Sequence, residues 1–141
     1  MNKLFNIILG LGFLLILGAG IYQLVGPILP PLSTRDKQIA YLKEHEQEMT
    51  DYVKSQNPKV ESVQWDWDSV IVEEIQPDAG GIPIGKKYNQ LDIKGKFNNI
   101  NDSKFTVSFE VDKKKSLPYI NTVNITQDLR ILKNGGWDLY E

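Results

Sequence analysis

The feature that most constrains this chain is the apolar run at its start. Leu4 to Val25 is interrupted only by Asn6 and Gln23, and Lys3 is the one charged side chain before Arg35. Those 22 residues rise about 33 Å as a helix, enough to cross a hydrocarbon core of about 30 Å. The run predicts a single-span membrane anchor over residues 1–26. The alternative is a cleaved secretory signal, for which Lys3, Ile7–Leu17 and Gly18-Ala19-Gly20 supply the basic, apolar and small-residue parts. Cleavage there would leave Ile21, Leu24, Val25, Ile28 and Leu29 as an apolar new terminus, which favours retention. A short head before the run, with later charges set back from it, places the N-terminus in the cytoplasm and the rest outside. Pro27, Pro30 and Pro31 lock φ and lack donors, so 27–33 reads as a stiff spacer before an extracytoplasmic domain over 34–141.

The two parts differ in composition. Of the first 32 residues 20 are hydrophobic, against 38 of the remaining 109, a third, which suits one compact core. There is no cysteine, so no disulfide, thiolate nucleophile, cysteine-ligated metal or cysteine-borne lipid anchor exists. His45 is the only histidine, and next to Leu42 and Met49 it reads as a half-buried packing residue. A net charge of −2 argues against a dedicated nucleic-acid binder. No cofactor is expected, and no metal site. Beyond the bilayer, the expected partner is a protein.

Behind the spacer the polar pattern first follows a helical period. Ser33-Thr34-Arg35-Asp36 has the form of a capping box, and Ile39, Leu42, Met49 and Val53 make an apolar stripe that Asn57-Pro58 ends. One helix of about 22 residues is predicted. The period then drops to two. Val63, Trp65 and Trp67 alternate with Gln64, Asp66 and Asp68 in a long strand expected to bend or bulge near Asp68-Ser69. Leu91, Ile93 and Phe97 mark a second strand, and Phe105, Val107, Phe109 and Val111 a third. The turn residues Asn98 to Asp102 join these two as a hairpin. A fourth strand runs from about Tyr119 to Thr126, and Gly135-Gly136 allow a last turn before Trp137 and Tyr140. The expected fold class is α+β: the membrane helix, then one helix packed on a curved four-stranded antiparallel sheet.

The segment Val60–Val63, the string Ile93-Lys94-Gly95-Lys96-Phe97-Asn98-Asn99 and Phe105 opening the next alternating strand resemble small uncharacterised surface proteins of staphylococci and related Gram-positive bacteria with a cystatin-like fold. The likeness spans roughly Gln38 to Ile125. It implies a helix wrapped by a curved meander, used for binding or as an accessory part of surface machines, and it brings no catalytic residues.

Few residues offer chemistry. Gly80-Gly81-Ile82-Pro83-Ile84-Gly85-Lys86 has the glycine and lysine spacing of a phosphate loop. Lys87 stands where a hydroxyl should hold magnesium, Pro83 removes an amide, and a strand follows in place of a helix. The stretch reads instead as a long loop, Gln76 to Gln90, without secondary structure of its own. It presents Ile82, Ile84, Lys86, Lys87 and Tyr88 as an adhesive mixture. Lys113-Lys114-Lys115 forms a basic turn after the third strand. These eight residues are the candidate partner contacts, and no catalytic residue is expected. The resulting expectation is a membrane-anchored, extracytoplasmic, non-enzymatic binding module. The alternatives are an immunity protein guarding its producer from a secreted toxin, a small-ligand binder with a cavity lined by Trp65, Phe97 and Phe109, and a small surface enzyme.

Overall fold

The computed structural model describes residues 30–141. The anchor or signal expected over 1–26 lies outside them, as do residues 27–29 of the spacer. Among the described residues no helix is long and apolar enough to cross a membrane. The fold is carried by one compact unit, Ser33–Glu141.

It begins as the capping pattern predicts, with Ser33 Oγ accepting the Asp36 N–H at 3.1 Å, so one of the orphan donors of the first turn is satisfied. The expected single helix is two: α1 (Thr34–Glu44) and α2 (Glu46–Gln56), separated at His45. The His45 N–H reaches Leu42 O at 3.0 Å, a three-residue step that tightens and ends α1. Charge explains why two helices suit this sequence. Lys43 lies in the last turn of α1, and Glu46 and Glu48 lie in the first turn of α2, each complementing the dipole of its own short helix. In one continuous helix Glu44 and Glu48 would instead repel at the i, i+4 spacing. Leu42, Met49 and Val53 still face the core across the break.

The sheet is antiparallel, with the order β1-β4-β5-β6-β7. Its members are β1 (Val63–Ile75), β4 (Tyr88–Phe97), β5 (Ser103–Val111), β6 (Asn124–Lys133) and β7 (Gly136–Leu139). It thus has five strands where four were expected. Gly135, at φ 80°, and Asn134, at φ 50°, turn the chain tightly enough for Gly136–Leu139 to pair with Arg130–Lys133. A further small hairpin, β2 (Asp78–Ala79) with β3 (Ile82–Pro83), extends from the β1–β4 connection. The bend anticipated in β1 is a register shift between Asp66 and Ile71. Ser69 sits in it, accepting the Lys94 N–H with its hydroxyl at 2.8 Å.

The core lies between the helices and one sheet face. Phe97, Phe105 and Phe109 are buried together with Leu91, Ile93 and Val107, and each ring contributes about 3 kcal/mol by leaving water. Trp65 meets Phe105 edge-on at 5.3 Å, and its indole N–H donates to Thr50 Oγ1 at 3.0 Å, tying β1 to α2. Trp67 is only half-buried, with Lys43 Nζ 5.5 Å from its ring centroid. Gly95 allows the sheet to close on this cluster. A Cβ there would stand 2.5 Å from the Phe105 ring and 3.0 Å from Gln64 O, so the aromatic lies directly over bare backbone.

Candidate functional site

Strand pairing brings the two predicted contact regions to one end of the sheet. Ile75 pairs with Tyr88 and Asn89 with Val111, so the β2–β3 hairpin and the Lys113–Lys115 turn both project beyond the same last rungs. The stretch from Gln76 to Gln90 is accordingly not the unstructured loop expected from its glycines and prolines. Gly80 and Gly81 both have positive φ, 63° and 87°, and make a two-residue hairpin tip between β2 and β3. The Ile84 N–H donates to Pro77 O at 2.8 Å, and the Gln76 amide caps the base of the hairpin through Pro77 O at 2.9 Å. The tip holds Ile82 and Ile84 in water at 69% and 51% exposure, high for such side chains. Lys86 and Lys87 are exposed, with Lys87 Nζ 3.4 Å from Glu74 Oε1, and Tyr88 is half-buried at the start of β4.

The basic turn is built by Asp112. Its carboxylate accepts the Lys114 N–H at 2.7 Å and the Lys115 N–H at 3.2 Å. Ser116, at φ 57°, closes the turn by donating its N–H to Asp112 O at 2.8 Å. The two amides hold the Asp112 carboxyl below its usual range, aided by the Tyr119 hydroxyl and the charge of Lys115. Tyr119 is in turn raised above the ordinary phenol range, chiefly by its hydrogen bond to Asp112. Lys113, Lys114 and Lys115 all point into solvent.

The start of α1 belongs to the same end, a juxtaposition no sequence pattern announced. Gln38, 5% exposed, donates its side-chain amide to Ser116 O at 2.8 Å, bonding the helix to the lysine turn. The Arg35 guanidinium donates to Val70 O at 3.2 Å and Asp68 O at 2.8 Å, occupying carbonyls that the β1 irregularity leaves free. Between these contacts is a cleft of about 340 Å³, bordered by Thr34, Val72, Asn89 and Val111. Acids are interspersed with the lysines: Glu73, Glu74, Asp78, Glu110 and Asp112 occupy the same last rungs and turns. The surface is therefore mixed in sign, with an apolar tip.

The closest hydroxyl–carboxylate contact, Ser108 Oγ to Asp92 Oδ1 at 2.6 Å, lies on the helix-free face of the sheet. It continues to Thr126 Oγ1 at 2.8 Å and to the Gln90 amide at 2.9 Å from Asp92. With no imidazole beside it, this is a cross-strand polar ladder, not an activated nucleophile. His45 is engaged elsewhere, with Nδ1 2.8 Å from Glu48 Oε1 and its ring 4.7 Å from that of Tyr41. Among the described residues no group of three His, Asp or Glu side chains is placed to hold a metal. Phe97 and Phe109, proposed to line a ligand cavity with Trp65, have at most 1% exposure and pack in the core. No family model, no curated protein and no solved structure matches the chain.

Proposed function

We propose that the chain is a membrane-tethered, extracytoplasmic binding module that performs no reaction, and that it engages a protein partner through the end of the domain where the chain enters it. The observation that carries this reading is the coincidence of three features at one end. These are the entry point Ser33, the solvent-held Ile82 and Ile84, and the lysine turn bonded to α1 through Gln38. The tether rests on the uncharged Leu4–Val25 run. A protein fits the mixture of apolar tip and alternating charge better than an anionic lipid does, because Glu73, Glu74, Asp78 and Glu110 would oppose a negative surface. A helical layer against an antiparallel meander also accords with the cystatin-like resemblance, which implies mostly binding or accessory roles.

The test is in intact cells. A photocrosslinking side chain at Ile82 should capture one discrete protein, and the same group at Asn134, across the domain, should not. Equal capture at both positions, or a full-length chain left uncut by protease added to unbroken cells, refutes the proposal.

A further inference from the structure

The outer edge of β1 is open where the strand approaches the entry end. β1 closes one side of the sheet, pairing with β4 and, among the described residues, with no other strand. Which of its backbone groups face outward follows from two sets of hydrogen bonds. The Lys94 N–H reaches Ser69 Oγ in β1, so Lys94 turns its backbone toward β1. Asp92 and Gln90, at two-residue steps along the same strand, do likewise, and their partners Ile71 and Glu73 therefore direct their N–H and C=O groups into the ladder. Val72 and Glu74, in the alternate positions, direct theirs away from the sheet. Arg35 shows the same parity from the other side. Its guanidinium donates to alternate carbonyls, Asp68 O at 2.8 Å and Val70 O at 3.2 Å, and the next two on that side belong to Val72 and Glu74.

Arg35 thus caps the edge as far as Val70 and leaves the following rungs uncapped. Exposed edges are commonly blunted by a bulge, a lysine or a proline. Here the irregularity lies before Ile71, the register from Ile71 to Ile75 is regular, and neither lysine nor proline stands in that stretch. Ile71 and Val72 are 48% and 40% exposed on it, one on each face of the sheet. Donors and acceptors at this spacing are complemented by another extended backbone. The geometry points to a segment of the protein partner that adds to β1 as a further antiparallel strand over Ile71–Ile75. This rests on the proposed function, whose partner it equips with a binding mode.

The side chains define that segment. Val72 lies on the helix side and borders the cleft of about 340 Å³ at the start of α1, so the residue opposite it is apolar. Glu73 lies on the other face. Glu74 has Lys87 Nζ at 3.4 Å, whereas Glu73 has no cation within 4.0 Å among the described residues, so the residue opposite Glu73 is a lysine or arginine. Two other occupants fit less well. The spacer before α1 contains Pro30 and Pro31, which have no N–H to donate. A second copy paired antiparallel about Glu73 would set that carboxylate against its own image.

The test follows amide exchange residue by residue, by NMR on the full chain in nonionic detergent, with and without the peptide acetyl-Thr-Val-Lys-Val-Thr-amide at about 1 mM. With its lysine opposite Glu73, the peptide should slow exchange at Val72 and Glu74 several-fold. Ile71 and Glu73, already bonded to β4, should be unchanged. N-methylation of both valines removes the N–H groups that face the edge and should abolish the effect, while N-methylation of the lysine should preserve it. Glu73→Lys should abolish it as well, and a peptide with glutamate in place of lysine should restore it on that variant, which also shows the variant to be folded. Unchanged exchange at Val72 and Glu74 overturns the inference. So does equal slowing by the two methylated peptides, or protection without peptide that grows with protein concentration, which assigns the edge to a second copy. Capture at Ile82 in cells is read separately: a partner caught there while the edge amides stay unprotected refutes strand addition and leaves the protein partner standing.

Discussion

At the scale of single residues, the positions that matter most are those where backbone is approached closely or buried polar atoms are collected. Gly95→Ala sets a methyl into the Phe105 ring and the Gln64 carbonyl. It should destabilise the domain by about 1–3 kcal/mol in chemical denaturation, and Phe105→Leu should recover part of that loss by vacating the space. Asn98, at φ 52°, accepts the Glu61 N–H at 2.7 Å and donates to Lys59 O at 2.9 Å, tying the helix–sheet connection to the β4–β5 turn. Asn98→Gly keeps the backbone at ease while deleting these bonds and the longer ones from the Ser62 N–H at 3.2 Å and to the Tyr140 hydroxyl at 3.3 Å, so a loss of about 1–3 kcal/mol there reports the side chain alone. Asp112 has a pH signature. Its carboxyl is depressed in the fold, so its contribution is present above the ordinary carboxylate range and is lost as pH falls through the lowered value. Protection of the Lys114 and Lys115 amides, relative to their intrinsic exchange rates, should fall only under acid conditions below the usual aspartate range, and Asp112→Asn should remove that step. Tyr119 acts in the opposite sense, its contribution persisting until pH rises through its elevated value. Of these residues Gly95 and Asn98 stood inside a recognisable string, but their tasks were not legible: Phe105 reaches Gly95 only through pairing, and Asn98 bonds residues 37 and 39 positions away.

At the scale of elements, period and turn chemistry carried most of the reading. The alternation in β4 and β5, the N-cap at Ser33 and the irregularity in β1 all follow from local patterns. The helix break escaped because the apolar stripe runs straight through it; the placement of Lys43, Glu46 and Glu48 was the available signal. Glu46→Lys with Glu48→Lys should cost about 0.3–1 kcal/mol each by opposing the α2 dipole, seen as a lower melting temperature that salt partly restores. The β2–β3 hairpin escaped for another reason: four paired residues are too few to show a period, and Gly80-Gly81 suits a loop without secondary structure as well as a hairpin tip. Ile84→Ser should leave stability within about 0.5 kcal/mol, because a side chain 51% exposed is little packed, while weakening capture by the crosslinker at position 82 that the proposed function expects.

At the scale of the whole molecule, charge is divided along the chain. Residues 33–78 hold 11 acids and 5 bases, and 79–141 hold 7 acids and 10 bases. The fold brings the two signs together: acids and lysines are interspersed at the entry end, and Asp66 pairs with Lys94 across β1 and β4. Protease added to intact cells should release a fragment of the size of 33–141, cut first in the spacer near exposed Leu32. An unchanged full-length band would reverse the orientation. The order β1-β4-β5-β6-β7 has one more consequence. Apart from the short β2–β3 insertion, every strand of the main sheet pairs with its sequence neighbour, so ladder formation closes short loops and never waits for a distant segment. A polypeptide that emerges from its first residues onward can zip up rung after rung as each length appears, with no strand left waiting for a partner still to be made.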